Sequence, residues 1–185
     1  NKLADCVSLV LEDARSVSFP KDTRFDVVIS EMLTTGMVDE HQVMAINNLR
    51  RKKLVTSSTR FIPGQQNTFV ALANANFQWH GFETPMVLHL WKWHDWSDLR
   101  LTKISKPVLL NSVNFARLTK EKFEAELKIK VERPGIVNSI HLTSVSLLTN
   151  NISLGDTEAL NAPVLVPIHE RATKAGETLR VHVRY

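Results

Sequence analysis

The chain has 185 residues, 43% hydrophobic and 23% charged, which is an ordinary globular composition and excludes a disordered or collagen-like chain. No apolar run approaches the roughly 20 residues that cross a bilayer, so no membrane helix is expected, and no signal-peptide pattern opens the chain. The single cysteine, Cys6, excludes an internal disulfide and fits a reducing cytoplasm.

Net charge is +4 and unevenly placed. Residues 1–56 carry eight Lys/Arg and eight Asp/Glu; residues 57–185 carry fifteen and eleven. That mild excess serves solubility first and a nucleic-acid surface second.

In chain order, residues 7–11 read as a short buried strand followed by Glu12-Asp13. Residues 26–29 read as a second, flanked by an acidic loop. Short, continuously apolar strands suit a parallel sheet covered on both faces. Residues 39–54 have near-helical apolar spacing and close on Arg50-Arg51-Lys52-Lys53, a favourable charge at a helix C-terminus. After the polar junction 56–59 the period becomes two. Strands are expected over 68–73 and 86–91. Phe123, Ala125, Leu127, Ile129 and Val131 alternate with charges, as in a strand with one wet face. Arg133-Pro134-Gly135 reads as a turn that returns residues 136–148 as a hairpin partner. Leu179, Val181 and Val183 alternate after a Gly176 turn. The expected fold is therefore α/β plus all-β: residues 1–57 the tail end of a nucleotide-binding sheet, residues 58–185 a β-barrel-like domain.

Two carboxylates, Glu31 and Glu40, bracket the loop that leaves the carboxyl end of the second strand. Ligands bind at such ends in open α/β sheets. Two acids on one loop repel unless a cation lies between them, and a guanidinium offers five donors in a planar fork. Solvated surface acids would show the same spacing. Upstream, an acid such as Asp13 could accept from an exocyclic amine while a neighbouring backbone N–H meets a ring nitrogen, which suits adenine; a turn cap by Asp13 is the plainer alternative. Trp91 and Trp93 alternate on one face and are expected on the core; Trp91, Lys92 and Trp93 could otherwise stack bases. The histidines show no metal-ligand spacing.

The run Phe25-Asp26-Val27-Val28-Ile29-Ser30-Glu31-Met32, with Glu40 nine positions after Glu31, resembles the double-glutamate loop of protein arginine methyltransferases. Glu12-Asp13-Ala14 resembles the adenine-contacting motif of class I, S-adenosylmethionine-dependent methyltransferases. Arg60-Phe61-Ile62-Pro63 resembles that family's crossing into its β-barrel, often with a cis proline. Residues 135–140 and 175–183 resemble later barrel strands. The resemblance implies Glu31 and Glu40 as acceptor-binding catalytic residues, Asp13, Ala14 and Ser30 on the cofactor side, S-adenosylmethionine as cofactor, a protein or peptide substrate and a homo-oligomer. No G-x-G-x-x-G loop occurs, so the cofactor-binding half is expected upstream of Asn1 and the chain to be a piece of a longer protein. Asn161-Ala162-Pro163 stands where the family carries Thr-His-Trp. Two alternatives stay open: a methyltransferase for a non-arginine acceptor, and a non-catalytic β-barrel binding module.

Overall fold

The computed structural model describes residues 4–37, 39–157 and 160–185, apart from the side chain of Ala4. Its strands are β1 (Val27–Ile29), β2 (Arg60–Ile62), β3 (Gln65–Asn74), β4 (Gln78–Trp79), β5 (Phe82–Glu83), β6 (Leu88–His89), β7 (Thr102–Lys103), β8 (Val108–Asn114), β9 (Glu124–Lys130), β10 (Gly135–Leu147), β11 (Ser153–Leu154), β12 (Val164–Thr173) and β13 (Thr178–Arg184). The α-helix α1 spans Gln42–Arg51. No helix among the described residues is long and apolar enough to cross a membrane.

The N-terminal part is small. β1 pairs parallel with β2, setting Val28 beside Phe61. One face is covered by α1: Ile46, Val43 and Leu49 pack with Phe25, Val28 and Phe61, and Val113 and Phe115 of the β-rich part complete this core. The other side is bare, with Ile29 74% exposed. The basic end of α1 is mostly engaged. The Arg50 guanidinium lies over the Phe61 ring, 4.7 Å from its centroid, and donates to the Phe115 carbonyl. Lys52 Nζ donates to the Ser16 and Val17 carbonyls at 2.5 and 2.8 Å.

Residues 7–11 correct the sequence reading. They form no regular structure, and Leu9 is 92% exposed. A strand needs a neighbour to satisfy its N–H and C=O groups, and β2 is the strand to which β1 is bonded among the described residues. Among the described residues the N-terminal part is therefore a two-stranded parallel ladder and one helix, short of the nucleotide-binding sheet expected from the sequence.

The second part is a seven-stranded antiparallel sheet ordered β6-β12-β10-β3-β7, with β8 also on β3 and β11 on β10. A separate antiparallel ladder, β9 with β13, covers it. The main core lies between them: Val70 and Leu72 of β3, Val137 and Ile140 of β10, Ile129 of β9 and Leu179 of β13, with Ile104, Leu110 and Val131. The arrangement resembles a barrel but is not closed among the described residues.

The expected hairpin between 123–131 and 136–148 is absent. β9 pairs with β13, and β10 pairs with β3 and β12. The reason is the apolar face of β9, which meets the face of β10 across the core instead of lying beside its edge. Gly135 serves close approach there, not a left-handed turn: a Cβ would sit 3.2 Å from Ile104 Cδ1. Gly176 does make the expected turn, at φ 85°. The Ile62–Pro63 bond is cis, as the resemblance implies.

The tryptophans also depart from expectation. Only Leu88–His89 of 86–91 is strand. Trp91 and Trp93 stack on each other, 4.8 Å between centroids and 6° between planes, and Trp93 is exposed. Trp96 instead packs on Phe77 and Leu99, its indole N–H donating to the Trp91 carbonyl at 2.8 Å.

Two outcomes follow from this packing. Leu72→Ala lowers unfolding stability by about 3 kcal/mol in urea titration, whereas exposed Leu118→Ala changes it by less than about 0.5. His141 is buried on β10, and desolvation, reinforced by Lys103, lowers its pKa to about 4. The unfolded histidine takes its proton near pH 6.5 and the folded one near 4, so stability falls as pH drops across that window. The slope is roughly 1.4 kcal/mol per pH unit, and His141→Gln flattens it in denaturation midpoints measured from pH 7 to 4.

Candidate functional site

The site is built around the loop joining β1 to α1. Ser30 N donates to the Ile62 carbonyl at 2.9 Å, which holds the loop at the end of the parallel ladder. Gln42, the first residue of α1, is fully buried and reaches back through Nε2 to the Ser30 Oγ at 3.2 Å and carbonyl at 3.3 Å. From here the chain turns onto the large sheet. Leu33, Thr35, Gly36 and Met37 are buried, with the apolar Leu33 and Met37 flanking a polar Thr34-Thr35-Gly36 centre.

Polar groups dock this stretch. Gln66 Nε2 on β3 donates to the Thr34 carbonyl at 2.8 Å. Thr35 Oγ1 donates to the Ala162 carbonyl at 2.8 Å. Gly36 N donates to Ser144 Oγ on β10 at 3.1 Å, and Ser144 is bonded to Thr68 of β3. Gly36 has φ 77°, a left-handed conformation that a side chain would strain. Asn161 N donates to the Leu33 carbonyl at 3.4 Å, and its Nδ2 to Ser146 Oγ at 3.3 Å. The polar face of β3 and β10 is thus a seat for the acidic loop.

The predicted residues divide between two cavities. Ala14, Ser30 and Glu31 line one of ≈ 410 Å³, walled by Val27, Ile29 and Leu49. Glu40 lines another, ≈ 300 Å³, with Asp39, His89, Trp91 and Asn161. Both glutamates are exposed, and neither has an ion-pair partner among the described residues. Asp13 lines neither cavity. Its carboxylate is gripped by Arg15, with Nη2 at 2.6 Å and Nε at 2.9 Å from Oδ2. The Arg15 hydrogen bonds pull the Asp13 carboxyl down to about 2.

Sequence reasoning missed the remainder of the second cavity. His89 Nε2 lies 3.6 Å from Asp39 Oδ2, and the His89 ring stacks toward Trp91 at 6.1 Å. Thr34 Oγ1 and Asn161 Oδ1 of this cavity, and Gln66 Oε1 on β3, are buried without a hydrogen-bond partner among the described residues. Asn161 is held in the left-handed region at φ 53°, which asparagine tolerates better than most residues. That loop position was visible in the sequence; its neighbours were not.

No family model matches this sequence. An uncharacterized protein of Methanocaldococcus jannaschii is 21% identical over 178 residues, 96% of this chain and 63% of that protein. An uncharacterized protein of Methanothermobacter thermautotrophicus is 28% identical over 182 residues, 97% of this chain and 64% of that protein. The chain spans a little under two thirds of the length of these relatives. Among solved structures, the fold is similar to the Trypanosoma brucei PRMT1 enzyme-prozyme heterotetrameric complex with AdoHcy, at TM-score 0.72 and 12% identity over 97% of this chain and 63% of that one. At such identity the likeness is one of fold.

Thr35→Val keeps the shape but leaves the Ala162 carbonyl without its donor, and costs about 1–3 kcal/mol in urea unfolding. Arg15→Gln raises the Asp13 midpoint, followed by NMR, from about 2 toward the ordinary 3.8.

Proposed function

We propose that this chain is the acceptor-side portion of an S-adenosylmethionine-dependent methyltransferase similar to protein arginine methyltransferases. In this reading residues 1–57 end the nucleotide-binding sheet and residues 58–185 form the barrel-like domain. The observation that carries it is the docked acidic loop. It leaves the carboxyl end of β1 with Glu31 and delivers Glu40 to a cavity against the large sheet. The fold likeness to a complex that holds AdoHcy supports the same reading.

Of the residues assigned to the cofactor, Ala14 and Ser30 fit. They share an apolar cavity whose ≈ 410 Å³ lies within the range of small-molecule sites. Asp13 does not fit while both its oxygens are held by Arg15. Ala14 and Ser30 would border the adenine; when bound, the cofactor supplies an electrophilic methyl group. Glu31 and Glu40 would orient a cationic or N–H-bearing acceptor, and the buried loop beneath them would fix their positions. Positioning of this kind carries much of the rate in a transfer between bound reactants.

One observation favours a non-arginine acceptor. Glu31 and Glu40 line different cavities, and Glu40 shares its own with Asp39, His89 and Trp91. A two-edged guanidinium clamp needs both carboxylates on one pocket.

The test uses the full-length protein that contains this chain. Glu31→Gln and Glu40→Gln are each expected to slow methyl transfer to arginine peptides on the order of 100-fold. A wild-type protein that binds S-adenosylmethionine but transfers no methyl group to arginine peptides favours the non-arginine acceptor. Wild-type rates in both variants contradict an acceptor role for either glutamate.

A further inference from the structure

The segment between β8 and β9 carries a feature that methyl transfer does not use. It forms one wall of a groove of ≈ 1040 Å³ whose lining includes Asn111, Asn114, Arg117, Lys120, Lys122 and Arg184. All four cations are exposed, and none makes an ion pair among the described residues. The nearby acids are already engaged. Glu124, which also lines the groove, is bonded to His182 Nε2 at 2.8 Å. Glu121 is held by Arg51 at 2.5 Å and by Asn47 at 3.1 Å, and these bonds lower its pKa.

The wall is fixed to the rest of the molecule. Asn47 of α1 donates to the Thr119 carbonyl at 2.7 Å and accepts from Thr119 N at 3.2 Å. The groove therefore sits on an anchored frame. On the neighbouring surface Arg180 pairs with Glu126 and Lys106 with Glu132. Here four cations line the groove against one carboxylate, Glu124, and their mutual repulsion is relieved by a polyanion.

The geometry points to single-stranded nucleic acid as the occupant. Two guanidiniums and two ammoniums suit successive phosphates. Asn111 and Asn114 place amide groups among them, and Leu118, 65% exposed, and half-buried Phe123 add apolar surface that a flat base can cover. A peptide of acidic residues alone brings no flat face to that surface. The inference stands independently of the methyl-transfer reading.

The probe is a labelled oligothymidylate of about 12 nucleotides, a length that one such groove can track. It is titrated by fluorescence anisotropy with up to about 100 µM of the 185-residue chain, the weak end of non-specific binding. With four phosphates neutralised, log K falls against log salt with a slope of about −3, so binding weakens about 50-fold between 0.05 and 0.2 M salt. K120E/K122E, or the milder K120Q/K122Q, weakens binding at least about tenfold and halves the slope, whereas K174E, outside the groove, leaves both unchanged. The proposal is overturned by no binding at 0.05 M salt, by groove variants that bind like wild type, or by a polyglutamate peptide of equal charge that competes as well as unlabelled oligonucleotide.

Discussion

The structure depends on the seating of a short, largely polar loop upon two polar strands. Leu33 and Met37 bring the large apolar side chains to this buried stretch, and Thr34, Thr35 and Gly36 between them enter it as polar backbone. Each backbone group that leaves water there needs a partner, because an unpaired buried one costs more than a made bond returns. Gln66, Ser144, Asn161 and the hydroxyl of Thr35 fill that need across the junction. The result is a loop whose middle is fixed and whose ends carry exposed carboxylates. Fixed backbone and exposed charge are what a positioning site requires.

The same seating joins the two parts of the chain. Phe115 and Val113 extend the β-rich part into the core beneath α1, and Arg50 ties the helix end to Phe61 and Phe115. The bare face of β1 and the exposed residues 7–11 contrast with this well-closed side.

Legibility in the sequence followed the range of the interactions. The period-two stretches became β3, β10 and β13, and the near-helical stretch became α1, because local periodicity decides which face is buried. Pairing was less legible. The apolar face of 123–131 shows that it is covered but not by which strand, and β13, some fifty residues on, took the place expected for β10. Residues 7–11 have the composition of a buried strand, yet composition supplies no neighbour. Of the residues lining the two cavities, Ser30 and Glu31 were legible through the strand-end rule. The meeting of Asp39 and His89 with Asn161 was not, because they come together only after β6 and the turn before β12 are placed. Trp91 was misread because alternation alone does not distinguish a core face from a stack on the surface.

The central claim is that this fold presents the acceptor side of an S-adenosylmethionine-dependent site. It is tested most directly by calorimetric titration of the full-length protein with S-adenosylhomocysteine. The account predicts saturable one-to-one binding, unchanged in Glu40→Gln because Glu40 lies in the second cavity. Absence of binding by the folded full-length protein would contradict it.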